Sequence, residues 1–218
     1  MPATVAAPVK YCRRSRSTVT PFSSADSPAE PGIRVVTGRR TPDRRTADRK
    51  PGAPVPYGDL VTKSGHAGVL RVADALAAAG AEGEVVELAA EVRTAALAAA
   101  ALGVEVGAIA NSLVFDADGE PLLVLTSGAH RVDTAKVAAL LGVPALRRAT
   151  PEFVRSATGQ VIGGVAPVGH PAPLRTLIDV VLADYDVVWA SGGVPHVVFA
   201  TSYDELVRIT GGTPAEVG

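Results

Sequence analysis

Cysteine and aromatic residues are scarce in this chain of 218 residues. The one cysteine, Cys12, excludes a disulfide bond within the chain and any metal site built from several cysteines, and such usage is typical of the reducing cytosol. Only 4% of the residues are aromatic although 47% are hydrophobic. Alanine and valine must therefore fill most of the core.

Long hydrophobic runs are also absent. The longest, such as Ala95 to Gly103, are rich in alanine and too short to cross a bilayer. The start of the chain, residues 1–5, has no charged region followed by an apolar stretch, which a secretion signal requires. We expect a cytoplasmic protein that has no membrane partner.

Charge is distributed unevenly along the chain. Residues 1–57 contain eleven Lys/Arg and four Asp/Glu, whereas the remaining residues contain ten and eighteen. The first segment also carries nine prolines and no sustained hydrophobic period, so we predict a disordered basic tail over 1–57 and a folded domain over 58–218. One interpretation is that the tail contacts RNA phosphates through its basic residues. The alternatives are that the tail has no function, or that the reading frame has been started too far upstream.

The domain shows alternating signals for helices and strands. Helix caps are predicted at Thr94, Asp133, Thr150 and Ser202, and a helix from near Ser64 ends at Gly80. Predicted strands cover 84–88, 109–115, 122–126, 176–179, 187–191 and 196–200, with hairpin turns at 116–119 and 192–195, and the last helix covers 206–210. The pattern predicts an α/β fold with a mixed, largely antiparallel, barrel-like sheet and surrounding helices.

Glycine is concentrated between Gly159 and His170, where twelve residues include four glycines. Such density needs a reason in the backbone, either a positive φ or a ligand that approaches the main chain. Successive N–H groups of such a loop can bind a carbonyl, carboxylate or phosphate oxygen. The stretch matches neither a Walker A loop nor a dinucleotide fingerprint.

Several side chains could have either a structural or a catalytic role. The four histidines lack metal-binding spacing, and His170 and His196 are either structural or proton carriers. Asn111 interrupts an apolar strand, so its amide either bonds locally or faces a ligand cavity. No nucleophile elbow is present, and Ser191 reads as a strand-end residue.

Several stretches match a known family in order. They are Ala101-Leu102-Gly103-Val104, Ile109 to Phe115, Arg131-Val132-Asp133 with Lys136, Thr158 to Gly169, Ile178-Asp179 and Ala190 to Gly193. Residues from about 64 to 218 therefore resemble the YbaK/EbsC family, the prolyl-tRNA synthetase-associated or bacterial editing domain.

The resemblance implies an aminoacyl-tRNA deacylase that acts in trans on the acceptor end of mischarged tRNA. Members of the family remove small amino acids, such as Ala or Cys from tRNA(Pro), without a covalent enzyme nucleophile or a cofactor. The loop from Gly163 to Pro167 would bind the aminoacyl carbonyl through backbone N–H groups.

One position departs from the family, which usually has lysine where this chain has Asn111. Asparagine can form hydrogen bonds but lacks the charge, which leaves a non-catalytic module that binds an amino acid or related small molecule as the alternative. A hydrolase of another small ester is a third reading.

The resulting candidate site has two parts. The catalytic candidates are Asn111, Gly163 and His170, where His170 would compensate for the missing lysine. The substrate-binding candidates are Ser112, Gly164, Val165, Ala166, Pro167, Gly169, Ser191, Gly192 and Gly193, and no metal is expected.

Overall fold

The computed structural model describes residues 66–81, 85–88, 92 and 94–218. The predicted basic tail over 1–57 and the predicted start of order near Ser64 lie outside these residues. Five helices are described: α1 (Ala67–Ala78), α2 (Ala95–Leu102), α3 (Thr134–Leu141), α4 (Pro151–Thr158) and α5 (Tyr203–Thr210). The strands are β1 (Val85–Glu87), β2 (Ile109–Ala117), β3 (Glu120–Ser127), β4 (Leu146–Arg148), β5 (Arg175–Asp179), β6 (Val188–Ser191), β7 (Val197–Thr201) and β8 (Thr213–Ala215).

The helices begin where the capping residues predict. The side chain of Thr94 accepts a hydrogen bond from the Leu97 N–H, and Asp133, Thr150 and Ser202 act in the same way at α3, α4 and α5. The last helix starts at Tyr203 rather than Leu206, because the Ser202 cap sets its first turn.

The strands form one mixed sheet in the order β1-β7-β6-β2-β3-β5-β8, with β4 paired to β2. Four of the described pairings are antiparallel (β1–β7, β2–β3, β2–β4, β6–β7) and three are parallel (β2–β6, β3–β5, β5–β8). The predicted α/β class with a mixed sheet and helices is confirmed.

Three apolar clusters cover the sheet. The central core joins α1, α4 and α5 to inward residues of β2, β3 and β5–β7, and Phe199 is its largest fully buried side chain. A second cluster packs α2 against Ile109 and Val198, and a third packs α3 against β3, β5 and β8. Side chains from both faces of β2 therefore contact apolar clusters.

Other expectations need correction. The β2–β3 turn contains only Asp118 and Gly119, whose φ values are 59° and 92°, because Asp-Gly suits a two-residue hairpin loop with positive φ. The short strands β4 and β8 were not predicted. Each of these strands has only three residues. Two of them are arginine in β4 and one is Pro214 in β8, so neither sequence has the pattern of a strand.

Within the part of the chain that the structure describes, no helix has the length and apolar character needed to cross a membrane.

Candidate active site

Strand β2 lacks a partner along part of one edge. β3 pairs with it over residues 110–117 on one side. On the other side, β6 pairs with Ile109 and Ala110, and β4 pairs with Phe115 to Ala117. The described residues therefore leave an opening beside residues 111–114, flanked by β6 and β4.

The backbone of β2 turns polar groups into this opening. The Gly128 N–H donates to the Ile109 carbonyl at 2.8 Å, so Ile109 directs its backbone groups toward β3. Every second residue after it does the same in an antiparallel ladder. The intervening residues Ser112 and Val114 therefore direct one N–H and one C=O each into the opening, where no described strand pairs with them.

A pocket of about 290 Å³ occupies the opening. Because the sheet is interrupted here, the pocket reaches apolar side chains of two clusters, Val154 and Val165 from the central core and Ile109 and Val198 from the α2 cluster. The described lining consists of Leu88, Val92, Thr94, Ala95, Ala98, Ile109, Ala110, Asn111, Ser112, Leu113, Val114, Arg148, Val154, Ile162, Gly163, Val165, Trp189, Ala190, Ser191, Pro195 and Val198.

The glycine loop, Gly159 to His170, forms part of the pocket wall, and the conformation of the loop requires glycine at two positions. Gly163 has a φ of 86°, which other residues rarely adopt. At Gly164, an added Cβ would lie 2.7 Å from the Cα of Val194, so only glycine permits this approach of the two loops.

The side chain of Gln160 holds the glycine loop together. Gln160 is buried, its Oε1 accepts from the Ala166 N–H at 2.6 Å, and its Nε2 donates to the Val168 carbonyl at 3.2 Å. Its own N–H donates to Thr158 Oγ1 at 3.0 Å, which ties the loop to α4. Sequence reasoning did not single out Gln160; a lone polar residue before an apolar, glycine-rich run was the available signal.

Not every backbone N–H group of the loop is used within it. Those of Gly164 and Ala166 are used within the loop, the first by the Val161 carbonyl at 3.0 Å and the second by the contact just described. The N–H groups of Gly163 and Val165 have no acceptor among the described residues, and both residues line the pocket.

Three buried polar side-chain atoms in the pocket also lack partners. Ser112 Oγ, Ser191 Oγ and Trp189 Nε1 make no hydrogen bond within the described residues. Buried polar atoms are normally paired, so three unpaired atoms among the residues of one pocket make it the candidate site for a polar ligand.

The structure brings five of the predicted site residues to the pocket: Asn111, Ser112, Gly163, Val165 and Ser191. It does not bring Gly164, Ala166, Pro167, Gly169, His170, Gly192 and Gly193 to the described lining. Some of these serve packing instead, since a Cβ on Gly193 would lie 2.7 Å from the Gly68 carbonyl oxygen of α1.

His170 lies outside the described lining, with both ring nitrogens buried and unpaired. Burial lowers the pKa of His170 from its ordinary value of 6.5. The carbonyl groups of Thr158 and Pro167 oppose this shift, although neither makes a hydrogen bond of normal geometry with the ring. The imidazole is therefore neutral at pH 7.

The described lining also includes no other histidine and no aspartate or glutamate. The buried Asp179 accepts from the Ser127 N–H at 3.1 Å and pairs with His130 Nδ1 at 2.9 Å. His196 approaches Glu87 at 3.6 Å. Over the described ranges, no three His, Cys, Asp or Glu side chains gather as a metal site.

Comparison with known proteins identifies the fold family. Residues 89–209 match the aminoacyl-tRNA editing domain family and include nearly all of the pocket lining. The chain belongs to this family. The editing domain also resembles a solved structure described as a candidate trans-editing enzyme for prolyl tRNA synthetase, with a TM-score of 0.66 and 45% identity over 71% of this chain and 98% of that one.

Curated relatives of the editing domain include much longer proteins. Proline--tRNA ligase of Nitratidesulfovibrio vulgaris (strain DP4) is 37% identical over 91 residues, which are 42% of this chain and 16% of the ligase. The chain therefore matches only a small part of the ligase's length. The protein YwhH of Bacillus subtilis is 32% identical over 113 residues, which are 51% of this chain and 71% of YwhH.

Proposed function

We propose that this editing domain hydrolyses, in trans, the ester bond of a tRNA mischarged with a small amino acid. One observation carries the proposal: the residues that line a single pocket include Gly163 and Val165, whose N–H groups have no acceptor among the described residues, and Ser112 and Ser191, whose hydroxyls are unpaired. Two backbone N–H groups that converge on one carbonyl oxygen stabilise the oxyanion that develops in ester hydrolysis, and we propose this role for Gly163 and Val165.

The reaction proceeds by addition of water. The water oxygen bonds to the ester carbonyl carbon, and the carbonyl electron pair moves to oxygen, where Gly163 and Val165 stabilise the charge. The carbonyl then re-forms as the C–O bond to the ribose breaks. One water proton ends on the ribose oxygen, and the other is released when the product becomes a carboxylate.

A serine nucleophile is not part of the proposal. Ser112 and Ser191 would need a base to remove their protons. The described lining includes no histidine, lysine, aspartate or glutamate. Direct attack by water, assisted by a hydroxyl of the tRNA ribose, requires no such side chain, and we propose that Ser112, Ser191 and Asn111 orient the aminoacyl group.

The preferred amino acid is small. Relatives of the chain include proline–tRNA ligases, and the family resemblance implies removal of small amino acids. We therefore propose Ala- or Cys-tRNA(Pro) as the substrate. The basic tail over 1–57 would add attraction for RNA to a domain with an excess of acidic residues.

A binding module without catalysis is the second candidate, and Asn111 is the observation that favours it. Asn111 lines the pocket without charge. Such a site would retain a free amino acid or a related small molecule but would not attract the RNA end.

Deacylation of a panel of charged tRNAs tests the proposal. The full chain is incubated with Ala-, Cys-, Ser- and Pro-charged tRNA(Pro), beside Asn111→Lys and a variant in which Arg39, Arg40, Arg44 and Arg45 are glutamine. We expect the unaltered protein to release Ala or Cys but not Pro, and the four-arginine variant to show a higher KM.

The outcomes separate the candidates. Turnover by neither the unaltered protein nor Asn111→Lys, together with calorimetric binding of a free amino acid, would establish the binding module instead. An unchanged KM in the four-arginine variant would remove the tail from the mechanism.

A further inference from the structure

Arg148 is the one charged residue in the described pocket lining. The other described lining residues are apolar or neutral. Arg148 lies on β4, at the flank of the opening, and its side chain is exposed to solvent. A single cation at the edge of a neutral pocket marks the place where an anionic part of a ligand would lie.

The pairing of β4 with β2 explains why Arg148, and not its neighbour, faces the pocket. Arg148 lies opposite Phe115, and Arg147 lies opposite Asp116. Successive side chains of a strand point to opposite faces, so only one of the two arginines can reach the opening. Arg147 is also exposed and is not part of the described lining.

The guanidinium group of Arg148 has no partner of opposite charge among the described residues. It forms no ion pair with any described carboxylate, whereas Lys136 pairs with Glu216 and Arg208 with Glu205. An unpaired guanidinium in a region with more acidic than basic residues is available for an external anion. Its planar fork of donors matches the oxygens of a phosphate.

We propose that Arg148 binds a backbone phosphate of the tRNA 3′ end and thereby positions the aminoacyl ester in the pocket. This inference rests on the proposed function. When the ester lies at Gly163 and Val165, the adjoining nucleotide must leave the pocket past its edge. A phosphate there meets Arg148 as its only cation within the described lining.

Three variants of the full chain test this role: Arg148→Ala, Arg148→Lys and, as the matched control, Arg147→Ala. Two measurements are made over a range of salt concentrations. The first is kcat/KM on the tRNA that the unaltered protein deacylates. The second is the binding of a labelled, uncharged single-stranded RNA that ends in CCA, which requires no catalysis.

Arg148→Ala lowers kcat/KM about tenfold and reduces the slope of log K against log salt by about 0.7, as loss of one single-strand phosphate contact requires. Arg148→Lys keeps the slope and recovers part of kcat/KM, because the charge remains without the fork. Arg147→Ala leaves the slope unchanged. Equal effects of the two alanine variants would show diffuse attraction and overturn the proposal.

Failure of the proposed function is distinguishable from failure of this inference. If no charged tRNA is deacylated but RNA binding depends on Arg148, the phosphate contact stands and the hydrolysis does not. If deacylation proceeds but neither kcat/KM nor RNA binding changes in the Arg148 variants, the proposed hydrolysis is retained and the proposed phosphate contact is wrong. Circular dichroism and Tm confirm folding, and Arg148→Gln replaces the alanine variant if it is unstable.

Discussion

Ser112 and Ser191 carry hydroxyl groups that contribute nothing to the stability of the described fold. Each oxygen is buried in the pocket without a hydrogen-bond partner. A buried unpaired hydroxyl costs about 1–3 kcal/mol relative to its hydrated state. Under the proposed function, a contact with the bound aminoacyl group offsets this cost.

Replacing either pocket serine by alanine should separate folding from function. We expect Ser112→Ala and Ser191→Ala to keep or raise the free energy of unfolding, by up to about 1 kcal/mol, because an unsatisfied oxygen is removed. We expect kcat/KM for the charged tRNA to fall by about five- to tenfold, from loss of a contact with the aminoacyl group. Urea unfolding and deacylation rates measure the two effects.

Ser127 provides the control for these variants. Its Oγ donates to the Gly107 carbonyl at 2.8 Å and accepts from the Ala129 N–H at 3.3 Å. Ser127→Ala should therefore lower the free energy of unfolding by about 1–3 kcal/mol. A loss of stability in Ser112→Ala as large as that in Ser127→Ala would show that the pocket hydroxyl is structural.

Site residues could be predicted from the sequence where chemistry marked them. Asn111 interrupts an apolar strand, and Gly163 lies in a glycine-rich loop, so both were candidates and both line the pocket. Arg148 was missed because its position depends on the pairing of β4 with β2. That pairing joins residues 29 to 33 positions apart, and no local period encodes it.

At the scale of elements, the glycine loop depends on one amide side chain. Gln160 bridges the Ala166 N–H and the Val168 carbonyl across a loop with no regular secondary structure. Ala166 directly follows Val165, which lines the pocket, and Val168 lies two residues further along the loop. The shape of the wall is therefore set by hydrogen bonds from Gln160.

Truncation of this side chain should affect both stability and catalysis. Gln160→Ala leaves one N–H and one C=O buried without partners, so we expect the free energy of unfolding to fall by about 2–4 kcal/mol. We expect kcat to fall more than KM rises, because the N–H groups of Gly163 and Val165 lose their alignment. Urea unfolding and steady-state deacylation measure these changes.

Gln160→Glu refines the same experiment. The carboxylate can still accept from the Ala166 N–H, but its second oxygen opposes the Val168 carbonyl oxygen. An activity equal to that of the unaltered protein would show that the Val168 contact does not shape the wall. An unaltered kcat in Gln160→Ala would contradict the role of Gln160 as a whole.

Helix ends were more predictable than short strands. Thr94, Asp133 and Thr150 cap helices as their side chains predict, because a cap is a local hydrogen bond within three residues. β4 and β8 exist only because longer strands offer them an edge. Their three-residue sequences contain no independent preference for extended structure.

At the scale of the whole molecule, the sheet class was predictable and the strand order was not. Hairpin signals identified β2–β3 and β6–β7, which are adjacent in sequence. The parallel pairing β2–β6 and the antiparallel pairing β2–β4 connect distant segments, and they decide where β2 is left without a partner. The pocket is thus a property of the topology.

Stability of the whole domain should depend on pH through His170. Burial lowers the pKa of His170 below 6.5, so at slightly acidic pH the unfolded chain binds a proton that the folded protein does not. This contribution is fully present above pH 6.5 and is lost as the pH falls toward the folded-state pKa.

We therefore expect His170→Gln to lose less stability than the unaltered protein between pH 7 and pH 5, measured by urea unfolding. The difference between the two proteins at pH 8, where the imidazole is neutral in both states, gives the packing cost of the substitution. Parallel curves from pH 8 to pH 5 would contradict the assignment. Deacylation at pH 8 should be retained, since His170 lies outside the described pocket lining.

The interruption along β2 also bears on self-association. Unpaired strand edges in soluble proteins invite strands of other molecules, which can lead to aggregation. Here β6 and β4 pair with the same edge at either side and leave only residues 111–114 open. A foreign strand cannot extend past these two neighbours, whereas a single amino acid can enter between them. The domain thus exposes main-chain hydrogen-bonding groups to a small ligand while it denies them to another polypeptide.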